Sequence, residues 1–143
     1  MKINNHVKSS KKFEVEDLLN FLAQDLNISE KTELTITYNE KLLDRLSSDV
    51  EYSALLHNTL PNKYVLYVRE GNVSQFVLCH EMVHLKQYED GRLSMSSDFK
   101  TITWEGEKMD NSIPYNLREW EKEAFSQENR LWKKYKKWRK LNK

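Results

Sequence analysis

An α+β fold, with a small antiparallel or mixed sheet packed on two helices, is what this 143-residue sequence predicts. Three observations carry that expectation. Residues 33–38 and 63–69 are short runs of β-formers, the first of them alternating with period two. Residues 73–90 contain neither Gly nor Pro and are apolar along two stripes, the mark of a helix buried on two sides. Residues 117–141 also lack both breakers, so one long helix ends the chain.

The length fits one domain, residues 1–143, with a real core but not two. Apolar residues at 38% are enough for that core, and a charged share of 31% implies a strongly solvated surface. The net charge of +1 is unevenly spread. Residues 133–143 hold seven Lys or Arg and no acid, leaving 16 basic against 22 acidic residues, a net −6, before them. A single cysteine excludes an internal disulfide and gives no sign of an oxidising compartment. The N-terminus lacks the apolar run of a secretory signal and no stretch approaches a membrane span, so a cytoplasmic protein without membrane contact is expected.

Taken in order, residues 1–12 are polar and lysine-rich and read as a loose arm. Phe13 to Leu26 place seven apolar residues on one broad helical face, with Asn27 and Ser29 closing it. Residues 33–38 form a strand with Leu34, Ile36 and Tyr38 inward, and 40–47 a short helix or turn. Strands are expected at 51–57 and 63–69, separated by a turn over 58–62. Asn72 is placed to cap the helix at 73–90, and Gly91 to end it in the left-handed conformation. Residues 100–109 suggest a hairpin turning near Gly106. Neither internal repeats nor a domain boundary interrupts this order.

Within the 73–90 helix, residues 80–84 read His-Glu-x-x-His inside an apolar frame. Residues four apart on a helix differ by about 40° around its axis, so His80 and His84 project from one face and can share a metal ion. Glu81, about 100° from His80, lies beside that ion, where it can hold and deprotonate a metal-bound water. The pattern points to a zinc-dependent hydrolase, a peptidase first.

Two histidines do not hold zinc well, so a third ligand is required. Asp90 lies six residues beyond His84 with Gln87 where a helix-breaking glycine would be needed, and so points away. On the terminal helix Glu121 aligns with Leu117, Phe125 and Trp132, whereas Glu119 and Glu123 face about 200° away from it. Ala124, one turn on, lets a neighbouring helix come close. Glu121 is therefore the expected third metal ligand.

With these residues in hand, the chain resembles the gluzincin zinc metallopeptidases. The resemblance rests on Val77 to Leu85 around the two histidines and on Glu121-Lys122-Glu123-Ala124, and it covers mainly residues 60–128. The wider layout is similar to small prokaryotic and phage-encoded SprT-like and ImmA/IrrE-like domains, which implies a minimal zincin-like metallopeptidase fold. It also implies one Zn²⁺ per chain on His80, His84 and Glu121, a protein or peptide substrate, and Glu81 as general base. Many relatives place Asp or Asn directly after the Ala to orient a metal-binding His; here Phe125 stands there, so that support must come from elsewhere. Tyr115, Arg118 and His57 are all open as donors to a developing oxyanion.

Two features lie outside that reading. Cys79 reads as a small apolar filler on the buried side of its helix. The basic run 133–143, interleaved with Trp132, Tyr135 and Trp138, reads first as a solvated helix end whose cations complement the helix dipole. The alternative is a non-catalytic domain that binds nucleic acid or an acidic partner through this run, with zinc structural or absent.

Overall fold

The N-terminal residues are not the loose arm that their lysines suggest. In the computed structural model, which describes residues 1–47, 52–71 and 73–142, Lys2–Asn5 form strand β1 on the edge of a four-stranded sheet. β1 runs parallel to β2 (Glu33–Tyr38), with Ile3 opposite Leu34. The Asn4 amide donates to Glu33 at 2.8 Å, and the backbone N–H of Lys8 to the Tyr38 hydroxyl at 3.1 Å. Four residues with one apolar side chain carry no readable period; the unpaired edge of β2 orders them.

β4 (Lys63–Val68) lies parallel to β2 on its other side, and β3 (Ala54–Leu60) closes the sheet antiparallel to β4, in the order β1-β2-β4-β3. The sheet is thus mixed. β3 begins three residues later than expected, and residue 51 lies outside the described residues. The shift follows from the turn. A register change between Asn58 and Leu60 and a left-handed Asn62 (φ 63°) confine the reversal to Pro61-Asn62, so pairing continues to Leu60.

Helix α1 (Val15–Asp25) buries Val15, Leu18, Leu19, Leu22 and Ala23. It ends with Asn27 at φ 55°, the N–H of Ile28 returning to the Ala23 carbonyl and that of Asn27 to Gln24. α2 (Glu40–Leu46) is a short helix capped by Asn39. α3 (Gln75–Glu89) carries the His-Glu-x-x-His motif. Its cap is Ser74, whose hydroxyl accepts from the Val77 N–H at 3.1 Å; Asn72 lies outside the described residues. Gly91 at φ 73° ends α3, with Arg92 N–H bonded to Gln87 O and Gly91 N–H to Tyr88 O, as expected of a glycine stop.

Beyond α3 lies a three-stranded antiparallel sheet of β5 (Leu93–Met95), β6 (Thr101–Trp104) and β7 (Glu107–Asp110). The hairpin turns on Glu105 and Gly106, both with positive φ. The three residues of β5 were too few to read as a strand. A single 3₁₀ turn (Tyr115–Leu117) then leads into α4 (Glu119–Leu141), which starts two residues later than predicted.

The main core joins α1, β2, β4, α3 and α4 around fully buried Leu18, Leu22, Leu34, Leu66, Leu78, Met82 and Leu131. A second cluster, Leu93, Ile102, Trp104 and Trp120, seats the small sheet on the start of α4. α3 lies between the two, touching α1, β3, β5 and above all α4. Among the described residues, no helix is long and apolar enough to cross a membrane.

Candidate metal centre

His80 and His84 stand one turn apart on α3 with ring centroids 4.8 Å from each other, both under 10% exposed. They share that buried position with Glu81. One ligand atom from each of the three lies within 4.8 Å of the others, so the group is positioned to bind a metal ion.

The partners of the rings fix which nitrogen is free. His80 Nδ1 lies 3.0 Å from a carboxylate oxygen of Glu128, which can only accept, so Nδ1 carries the proton. His84 Nδ1 lies 2.8 Å from Gln87 Oε1. The orientation of that amide follows from its other end: Gln87 Nε2 donates to the Trp120 carbonyl and to Glu123, both at 3.1 Å. Both imidazoles therefore present Nε2 inward. The two Nε2 atoms converge on one oxygen, Oε1 of Glu121, at 2.7 Å and 2.9 Å. The Tyr115 hydroxyl donates to the same oxygen at 3.0 Å.

Four residues support this convergence. Ala124, one turn from Glu121 and fully buried in the core that α3 and α4 share, adds only a methyl group there. Arg92, placed by the glycine stop after α3, grips Glu123 through two nitrogens at 2.8 Å and 2.7 Å. Glu123 holds Gln87, and Gln87 holds His84. Glu123 does leave the Glu121 face, as its helical angle predicts, but it enters this network rather than solvent.

The electrostatics favour positive charge at the point of convergence. Burial would raise the Glu121 carboxyl, but the charge of His84 and the hydrogen bonds from both rings hold it far below its usual range. Burial opposes a charge on His84; the neighbouring Glu121 overcomes this and lifts the ring to about 9. For His80 the same desolvation is outweighed by its hydrogen bond to Glu121 and the charge of Glu81. Protons on Nε2 thus stand in for a cation among two imidazoles and two carboxylates. Glu81 differs from Glu121: burial pushes its carboxyl up, and among the described residues it makes no side-chain hydrogen bond.

The centre opens into a cavity of about 220 Å³ lined chiefly by apolar side chains of β3, α3, β5 and α4, including Leu55, Phe76, Met95 and Trp120. Phe125 lies at its mouth, half exposed, with its ring edge-on to His80 at 4.6 Å. Tyr115 and Arg118 line the same cavity; Arg118 is buried and bonded to the Tyr52 hydroxyl and the carbonyls of Asn111 and Ile113. His57 does not: its ring lies 4.6 Å from that of Phe99, tilted to it by 57°. Asp90 pairs with Lys86 at 3.3 Å and Glu119 with Lys122 at 3.2 Å, both on the outer surface. Cys79 is fully buried in the core, its thiol pushed up to about 12 by desolvation.

Sequence reasoning missed Glu128 and Gln87. Glu128 was within reach, being two turns beyond Glu121 on the same face of α4. Gln87 carried no signal except its occupation of the place where some zinc peptidases have glycine. No protein-family model, curated protein or solved structure matches this chain.

Proposed function

We propose that this protein is a zinc-dependent peptide hydrolase of the gluzincin type, with one zinc ion held by His80, His84 and Glu121. The observation that carries the reading is the convergence of two Nδ1-protonated imidazoles on a single carboxylate oxygen. That set of two nitrogens and one oxygen suits zinc, and the cavity beside it leaves room for a fourth, non-protein partner. When bound, zinc would supply Lewis acidity, polarising a peptide carbonyl and making a nearby water a better nucleophile.

The chain's own residues do the rest. Glu81 borders the cavity with its carboxylate free of side-chain partners among the described residues and with its proton affinity raised by burial, as a general base requires. It takes a proton from the attacking water on a carboxylate oxygen and returns it to the departing amide nitrogen. Tyr115 carries its hydroxyl at the rim of the centre, in reach of a developing negative charge. The apolar cavity walls exclude water and accept an apolar side chain of the substrate.

The test has two stages. Elemental analysis of protein purified without chelators should find about one zinc per chain, largely lost in Glu121→Gln. Wild type should then cleave members of a peptide library, while Glu81→Gln keeps its zinc and cleaves nothing. A protein that takes up no zinc when supplied with it, or Glu81→Gln at wild-type rate, sinks the proposal.

A further inference from the structure

The cations at the end of α4 divide into two groups that the sequence alone does not separate. Lys134 and Arg139 point back to α1, where they pair with Asp25 and Asp17. Lys133, Lys136, Lys137 and Lys140 are exposed and enter no salt bridge among the described residues. Their spacing of i, i+3, i+4 and i+7 sets them in one straight stripe about 10 Å long. Lys11 and Lys12 precede Phe13, whose ring meets Trp132 at 6.1 Å beside the stripe. Glu14 and Glu16 offset those two charges, so the four helical lysines carry the argument.

The aromatics of this segment are already used. Trp132 and Tyr135 are buried at 8% and 1% exposure, and Trp138 packs on Phe21 on the far flank of the helix. The Trp132 ring beside the stripe is covered by Lys136, whose Nζ stands 5.7 Å from its centroid, so among the described residues no ring beside the stripe lies open for a base to stack on. Of the apolar residues in this segment only Trp138 and Leu141 stay exposed, too few to form the continuous apolar face that inserts into a lipid surface. What remains is a row of point charges along a rigid rod.

We propose that this stripe docks on the phosphate backbone of duplex nucleic acid, without reading bases. A duplex presents the densest regular row of negative charge, and four lysines along about 10 Å match its scale. This surface is independent of the metal centre.

The experiment is fluorescence anisotropy with a labelled 20-base-pair DNA duplex, one of its strands alone, and vesicles containing anionic phospholipid. Wild type is compared with a variant carrying Lys133→Gln, Lys136→Gln, Lys137→Gln and Lys140→Gln. A control carries Lys31→Gln, Lys41→Gln, Lys63→Gln and Lys108→Gln, with the same change in net charge, and circular dichroism verifies that all three fold. Duplex binding should weaken with log salt at a slope of about −3 to −4, as roughly four phosphate contacts require. The stripe variant should bind at least about 100-fold more weakly at 0.1 M salt, the control within about threefold. Equal losses in the two variants, tighter binding of the single strand, or binding to vesicles but not duplex would each overturn the proposal.

Discussion

Gln87 and Glu128 decide what His80 and His84 can do. Each holds the outer nitrogen of one ring, and so leaves the inner lone pair for a cation. Gln87→Ala and Glu128→Ala should each weaken zinc binding about 10- to 100-fold without removing a ligand, read by competition with a chromophoric chelator. Affinities equal to wild type would mean that the rings are oriented by packing alone. The candidate ligands were placed from the sequence because helical geometry translates spacing directly into direction. Gln87 was not, because its amide acts through a fold-wide chain from Arg92 to Glu123 that local spacing does not encode. Cys79 belongs to the same scale. With the thiol fully buried and pushed up to about 12, it should resist thiol reagents in native protein and react fully in denaturant.

Among the elements, β2 was read to the residue and α3 and α4 to within two, because strict alternation and long segments free of Gly and Pro announce themselves. The errors fell on short strands. β1 and β5 exist because a neighbouring strand offers unpaired backbone groups, a tertiary fact invisible in three or four residues. The cap of α3 is Ser74, whose hydroxyl takes the Val77 N–H. Ser74→Ala should therefore cost about 1 kcal/mol in urea unfolding. The crossing of α3 and α4 predicts a larger effect. Ala124→Leu places three more carbons where the helices meet, and should destabilise by about 1–3 kcal/mol. It should also depress zinc affinity by prising Glu121 from the histidines, so a variant that loses stability but keeps full affinity would show the two to be separable.

At the level of the whole molecule, the centre adds a polar link between two helices that the main core already packs together. His80 and His84 come from the helix between the two cores, while Glu121 comes from the helix that also carries Trp120 into the second cluster and Leu131 into the first. A cation bound there clamps α3 to α4 only in the folded state, since the unfolded chain scatters ligands 37 and 41 residues apart. Binding of that kind stabilises by RT ln(1 + [L]/Kd), about 2.7 kcal/mol with free zinc at 100 times Kd. For a chain of this size that amounts to a rise of roughly 8 °C in melting temperature. Thermal unfolding should accordingly shift upward as zinc is added, fall back with a chelator, and stay flat in Glu121→Gln over the same range. Magnesium, which needs oxygen ligands and dehydrates reluctantly, should leave the wild-type transition where it is. A wild-type transition indifferent to zinc would mean that the three side chains meet as an ordinary buried ion pair, and the catalytic reading would fail with it.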